Sequence, residues 1–164
     1  MKRETLHSEA FCIDDLMDEL HDYTIHKLQK YGKLDVGVEN LNYSDFEKCR
    51  IYADRKRLRQ VLVHLLDHAV KSTDTGYILF GFQTTKTDMI KFYVEDTGEY
   101  IPENHQSFNF KQSNQEERFN DCLGLFISHG LVQLMGKKLI ITKTSESAGT
   151  IFSFAIVCNP CEIV

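Results

Sequence analysis

No stretch of this 164-residue sequence approaches the ~20 consecutive apolar residues that a membrane-spanning helix needs. A basic surplus is also lacking, since the formal net charge is -5, which argues against a general nucleic-acid-binding protein. The opening residues, Met1 to Glu4, are mostly polar, so we expect no secretion signal here. Because 42% of the residues are hydrophobic, we expect one soluble, cytoplasmic domain over residues 1–164 that contacts neither nucleic acid nor a membrane.

An even, closely spaced set of cysteines is lacking as well, because the five cysteines are an odd number and lie scattered along the chain. This pattern favours reduced thiols in the cytosol. Cys158 and Cys161 have the CxxC spacing, but they stand alone near the C-terminus, and a structural zinc site would need two further ligands. We interpret this pair as incidental.

The strongest periodic pattern lies between Arg57 and Thr73. Its apolar residues recur at the three-and-four spacing of one helix face, and Asp54 stands where the helix N-cap is expected. A second polar stripe has the same spacing and consists of His64, Asp67, His68 and Lys71. At ~3.6 residues per turn, these four side chains are expected to project in one direction. Such a stripe is either a solvated face or the wall of a ligand site.

The remaining patterns predict two further helices and six strands. One helix begins near Phe11 and ends at 31–33, and the other covers 123–135. The strands are predicted over 34–38, 49–53, 76–83, 89–96, 138–142 and 150–157. We therefore expect an α/β two-layer sandwich, in which a mixed, mostly antiparallel sheet of about five strands packs on three helices. Residues 97–121 are polar with little predicted regular structure, and so long a connection is usually functional.

Four segments in register resemble the ATP-binding catalytic domain of sensor histidine kinases, which has the Bergerat-type ATPase fold. Residues 57–73 resemble its N box, and residues 94–102, with Asp96, Thr97 and Gly98, resemble its first glycine box. Residues 120–125 stand where the second glycine box is found, and residues 147–152 resemble the third. The resemblance runs from about Phe11 to Val157 and implies the Bergerat-type fold for the chain. It also implies that the chain binds ATP and donates its γ-phosphate to a histidine on a separate dimerisation domain.

The resemblance also implies a set of nucleotide-binding positions. Asp96 would accept the adenine amine, Gly98 would let backbone approach the base, and Lys71 would balance phosphate charge. Gly124, at the expected start of the third helix, would present backbone N–H groups to the phosphates. Residues 97–121 would form the ATP lid. The full set implied is His64, Asp67, His68, Lys71, Asp96, Gly98, Ile101, Leu123, Gly124, Leu125 and Thr150, with His68 at the position of the magnesium-binding asparagine.

Several residues depart from the family's motifs. His64 and His68 replace the two N-box asparagines, and imidazole is a poor ligand for Mg²⁺. Asp121, expected at the N-terminus of the third helix, would cap that helix and repel phosphate, while Tyr100 and Cys122 replace glycines. Binding of ATP and Mg²⁺ is therefore either weakened or lost, and the alternative function is a pseudokinase module kept for contacts with partners.

Two other functions have less support in the sequence. The ATP-hydrolysing branch of the same superfamily needs a glutamate as general base where His64 stands. A zinc site at His64 and His68 would lack a third ligand. The phosphoacceptor hairpin of complete kinases is not recognisable here, so we expect that this piece alone cannot autophosphorylate. Its expected partners are that hairpin in a parent kinase and, indirectly, a response regulator.

Overall fold

The computed structural model describes residues 6–42, 48–85, 88–98, 116–135, 139–143, 149–157 and 161–162, without the side chains of residues 116–122, 143 and 161–162. In chain order the elements are β1 (Glu9–Cys12), α1 (Ile13–Lys30), β2 (Val36–Asn40), β3 (Cys49–Ala53), α2 (Arg55–Ser72), β4 (Gly76–Thr84), β5 (Met89–Asp96), α3 (Glu116–Leu134), β6 (Ile140–Lys143), β7 (Thr150–Val157) and β8 (Cys161–Glu162). No helix of the described residues is long and apolar enough to cross a membrane.

The main sheet has five strands in the order β2-β4-β5-β7-β6. Strands β2 and β4 pair in parallel, and every other pair in this sheet is antiparallel, including the two predicted hairpins β4–β5 and β6–β7. The predicted mixed sheet with three helices is thus confirmed. A second antiparallel sheet, β1-β3-β8, was not predicted; β3 joins this small sheet instead of the main one.

Helix α2 is fixed at both of its ends by side chains. At its start the Asp54 Oδ1 atom accepts a hydrogen bond of 3.0 Å from the backbone N–H of Arg57, which confirms the predicted cap. At its end the Lys33 Nζ atom donates to the carbonyl oxygens of Val70, at 2.6 Å, and Lys71, at 3.2 Å. A helix cap contributes about 1 kcal/mol. The Asp54 contact therefore helps to determine where α2 begins, and the Lys33 contacts help to determine where it ends.

The core lies between the main sheet and the helices. Phenylalanines alternate along the central strands and are fully buried, and the rings of Phe92 and Phe154 stack with centroids 5.2 Å apart. The apolar face of α2 covers them, because its core positions are 0% exposed: Leu58, Val61, Leu62, Leu65, Leu66 and Ala69. The three-and-four spacing read from the sequence is therefore the buried face of α2.

Four predicted boundaries were wrong. Phe11 and Cys12 belong to β1, where they pair with β3, and not to α1. Strand β2 lies two residues later than predicted, and β6 begins at Ile140 instead of residue 138. Helix α3 begins at Glu116 and not at Leu123, so residues 116–121 of the predicted lid are helical. The charged residues that open α3 look like loop by polarity, but Glu and Arg favour helices. The rest of that lid, 99–115, and Gly136 lie outside the described residues.

Candidate functional site

The centre of the candidate site is Asp96, the last residue of β5. The register of the sheet places it between Ile78 of β4 and Thr150 of β7, and both Asp96 and Thr150 are 0% exposed. Its Oδ1 atom accepts a hydrogen bond of 2.9 Å from the backbone N–H of Gly98. Its Oδ2 atom is buried and has no hydrogen-bond partner within the described part of the chain. A buried carboxylate oxygen of this kind can accept a hydrogen bond from a ligand.

The environment of Asp96 changes its acidity. Burial raises the pKa of Asp96 to about 6, and the nearby Gly98 N–H, Ser72 hydroxyl and Thr150 N–H lower that pKa by a smaller amount. The carboxylate is therefore charged at neutral pH, but in a place where charge is unfavourable. A perturbed acid of this sort is typical of binding and catalytic sites.

Two glycines allow backbone segments to approach Asp96 closely. A Cβ atom on Gly98 would collide with the carbonyl oxygen of Ser72 at the end of α2, and one on Gly149 would collide with the carbonyl oxygen of Asp96. Gly98 was assigned to the site from the sequence because a glycine would let the backbone approach the adenine base. The structure gives a different reason, since the close approach is to the chain's own helix. These contacts hold the end of α2 against the loop that follows β5.

The polar stripe of α2 does not point in one direction. The Asp67 carboxylate turns toward α1, where it accepts a hydrogen bond of 2.6 Å from the Tyr23 hydroxyl and lies 3.6 Å from the Lys27 Nζ atom. The His68 ring instead meets the Phe152 ring of β7 edge-on, with centroids 5.3 Å apart. Consecutive helix positions differ by ~100°, so residues 67 and 68 lie on opposite sides of the stripe. The prediction of a common direction was wrong for Asp67.

His64 lies beneath α3, and Lys71 is exposed. A Cβ atom on Gly124 would come within 3.0 Å of the His64 Nδ1 atom, so α3 rests on this ring. Burial lowers the pKa of His64, while the nearby Asp67 raises it by less. The ring is therefore neutral at pH 7. The Lys71 side chain, in the last turn of α2, is exposed to solvent.

The prediction for Gly124 was wrong in its position. It lies about two turns inside α3, which begins at Glu116, so its N–H is part of the helical hydrogen-bond ladder. It cannot offer that N–H to a phosphate in this conformation. Asp121 also lies inside α3 and not at its N-terminus. Leu125 is 4% exposed and Leu123 37% exposed, so only Leu125 belongs to the core.

The residues present do not fit a magnesium ion at the position that the family resemblance implies. Position 68 offers an imidazole in place of an oxygen ligand, and its ring packs on Phe152. Asp67, the nearest carboxylate along the helix, is held by α1. No group of three possible metal-binding side chains occurs among the residues that the structure describes.

Sequence reasoning missed Ser72 and Thr73 as parts of the site. They directly follow Lys71, and they lie against Gly98, which binds Asp96. Their position at the end of the N-box helix was the only signal. Ile101 and Tyr100 lie outside the described residues.

Comparison with known proteins agrees with this geometry. A sequence profile described as histidine kinase-, DNA gyrase B-, and HSP90-like ATPase matches residues 53–159. The circadian input-output histidine kinase CikA of Synechococcus elongatus is 36% identical over 141 residues, which cover 82% of this chain and 19% of CikA. The chain thus corresponds to less than a fifth of that relative.

Two solved structures have the same fold. Full-length ShkA in complex with AMPPNP superposes with a TM-score of 0.81 at 22% identity, covering 99% of this chain and 33% of that one. Histidine kinase ThkA, in a complex with the response regulator protein TrrA, gives 0.69 at 26% identity, covering 92% and 42%. With the profile match over more than half of its length, this chain belongs to the family of histidine kinase-, DNA gyrase B- and HSP90-like ATPases, as a catalytic domain of the histidine kinase type.

Proposed function

We propose that this domain binds ATP and donates its γ-phosphate to a histidine on a separate dimerisation hairpin of a parent sensor kinase, from which a response regulator is phosphorylated. The observation that carries the nucleotide part is the buried Oδ2 atom of Asp96, which has no hydrogen-bond partner within the described residues. The match to CikA and the ThkA complex with a response regulator support the signalling part.

The chemistry of Asp96 favours adenine. Its Oδ1 atom is occupied by the Gly98 N–H, so Oδ2 faces the ligand as an acceptor. The exocyclic amine of adenine is a donor and satisfies this acceptor, whereas guanine would present a carbonyl oxygen and leave both groups unpaired. Thr150, opposite Asp96 on β7, closes the same end of the site. We therefore expect ATP to bind in preference to GTP.

At the phosphate end, Lys71 supplies the positive charge, and His64 lies in the wall between α2 and α3. We assign nucleotide contacts to Lys71, Asp96, Gly98, Leu125 and Thr150. The resemblance to the family adds His64, His68, Ile101 and Leu123 to this set. Asp67 instead positions α2 through Tyr23. Since the α2 side chains do not suit Mg²⁺, we expect that this helix adds little to metal affinity.

The deciding experiment is calorimetric titration of the chain with AMPPNP and with the guanine analogue GMPPNP. Saturable binding of AMPPNP alone is the expected result. Equal binding of both would contradict adenine recognition by Asp96. No binding of either at millimolar concentration, together with an unchanged melting temperature, would refute nucleotide binding and leave a module for protein contacts.

Phosphate transfer needs a separate test. The chain is mixed with [γ-³²P]ATP and a purified dimerisation hairpin from a histidine kinase, with an alanine in place of the acceptor histidine as control. Label on the hairpin that depends on that histidine is expected. Binding of AMPPNP without any transfer would contradict the catalytic part of the proposal.

A further inference from the structure

A second buried polar atom lies beside Asp96. Thr73 is the residue that follows α2, and it is 0% exposed. Its backbone N–H donates to the carbonyl oxygen of Ala69 at 3.1 Å, but its Oγ1 atom has no hydrogen-bond partner in the part of the chain that the structure describes. An unpaired buried hydroxyl lowers stability, so a group of this kind in a native protein calls for an explanation.

Two other hydroxyls in helices α1 and α2 donate to a backbone carbonyl oxygen of their own helix, as the Thr73 hydroxyl does not. The equally buried Thr24 hydroxyl donates to the carbonyl oxygen of Leu20 at 2.8 Å, which is the usual solution inside a helix. Even the neighbouring Ser72 hydroxyl lies 3.3 Å from the Ala69 carbonyl oxygen. Thr73 instead ends the helix in an extended conformation, with φ -112° and ψ 112°. Its hydroxyl makes no hydrogen bond to the helix carbonyls.

Its location connects it to the candidate site. A Cβ atom placed on Gly98 would lie 2.9 Å from the Thr73 backbone N, and the Gly98 N–H is itself bonded to the Asp96 Oδ1 atom. Thr73 and Asp96 thus flank the same glycine. The Thr73 hydroxyl can donate, the Asp96 Oδ2 atom can accept, and the two do not bond to each other. A ligand that reached both atoms, with an acceptor for the hydroxyl and a donor for the carboxylate, would satisfy both.

Adenine has the matching pattern. Its exocyclic amine is a donor, and the ring nitrogens on either side of that amine, N1 and N7, are acceptors. We propose that Thr73 is a specificity-determining residue of the nucleotide site, whose hydroxyl donates to one of these ring nitrogens while the Asp96 Oδ2 atom accepts from the amine. This inference rests on the proposed binding of ATP and adds a second contact to it.

The test uses Thr73→Val, which removes the hydroxyl and keeps the shape. We expect AMPPNP affinity, measured by calorimetry, to fall ~3- to 10-fold, as for a lost neutral hydrogen bond. The melting temperature without nucleotide should stay the same or rise, because an unpaired buried hydroxyl has been removed. Thr73→Ser keeps the hydroxyl and should retain most of the affinity.

The matched control is Thr24→Val, since that hydroxyl is bonded and remote in sequence from the site. It should lower the melting temperature and leave the affinity unchanged. The adenosine triphosphate analogues 1-deaza and 7-deaza identify the contact: one of them should show no difference between wild type and Thr73→Val, because it lacks the accepting nitrogen.

Three results would overturn the inference. Equal AMPPNP affinity of wild type and Thr73→Val would show that the hydroxyl is not used. The same penalty with AMPPNP and with both deaza analogues would place its action elsewhere. Failure of the wild-type chain to bind any adenine nucleotide would overturn the proposed function as well, which distinguishes that failure from the first two.

Discussion

Replacing Asp96 by asparagine should make the domain more stable and its site non-functional at the same time. The side chain keeps its shape but loses its charge. In the wild type, burial raises the pKa of Asp96 from 3.8 to about 6, and each pKa unit corresponds to ~1.4 kcal/mol. Holding the carboxylate charged above that pH thus lowers the free energy of unfolding by roughly 3 kcal/mol. Asp96→Asn should recover up to that amount at pH 7.5.

The expected stability difference depends on pH in a defined direction. Because the folded-state pKa of Asp96 is raised, the folded state binds the proton more tightly than the unfolded chain does. The wild type is therefore most stable, as far as this group is concerned, below pH ~4, and it loses that stability as the pH rises through about 6. The advantage of Asp96→Asn should be about a third of its full size at pH 4.5, which lies above the unfolded-state pKa of 3.8, and complete by pH 7.5.

The same substitution should abolish tight nucleotide binding. If the asparagine carbonyl takes over the bond from the Gly98 N–H, its NH₂ group replaces Oδ2 and faces the adenine amine, donor against donor. We expect a loss of ~30-fold or more in affinity, since a charged hydrogen bond is lost and a buried donor is left unpaired. Urea unfolding at pH 4.5 and 7.5 and calorimetric titration with AMPPNP measure the two effects.

The reasoning would be refuted if Asp96→Asn were less stable than the wild type by the same amount at both pH values. That result would mean that the carboxylate is well solvated or that its charge is compensated. An unchanged AMPPNP affinity would separately show that Oδ2 does not meet the base.

Three further perturbations test other parts of the site. AMPPNP affinity should decline between pH 7 and pH 5.5, since protonation of Asp96, with its pKa of about 6, removes the acceptor. An affinity that calorimetry finds independent of pH over this range would contradict this prediction. His68→Asn should introduce a strengthening of AMPPNP binding by Mg²⁺ that the wild type shows weakly or not at all; identical titrations with Mg²⁺ and with EDTA in both proteins would show that position 68 does not determine metal use. Gly98→Ala should lower the melting temperature by several degrees, because its Cβ would collide with the last carbonyl oxygen of α2. Gly130→Ala is the control and should raise the melting temperature slightly, because its Cβ meets nothing within 4 Å. Similar melting temperatures of the two variants would refute the close approach at Gly98.

The parts of the fold that could be predicted are those whose pattern is local. Helix α2 was predicted from its periodicity and from the Asp54 cap, and β4 and β5 were predicted as two apolar strands that pair across a polar turn. Strand β1 has only four residues, and Phe11 also fits the apolar spacing of the helix that follows, so periodicity could not separate them. The start of α3 was missed because most of its first six residues are polar and were therefore interpreted as part of the connection before the helix.

In the candidate site, too, the sequence motifs predicted some features, whereas others depend on contacts between distant segments. The resemblance placed Asp96 and Thr150 in one nucleotide site, and the sheet register pairs these two residues directly. The direction of Asp67 depends on where Tyr23 of α1 is placed, which no local pattern contains. Likewise, the burial of the Thr73 hydroxyl results from packing between the end of α2 and the β5 loop. Contacts between distant segments decide these details.

The ammonium group of Lys33 has an electrostatic consequence for a polyphosphate ligand. The C-terminal end of a helix carries roughly half a negative charge, which would repel ATP approaching the last turn of α2. Lys33 lies on two of the carbonyl oxygens that produce this charge, and it is 3.2 Å from the Asp74 carboxylate just beyond them. A residue from the turn after α1, outside every family motif, thus offsets part of the negative charge that the helix end and Asp74 place at the end of α2.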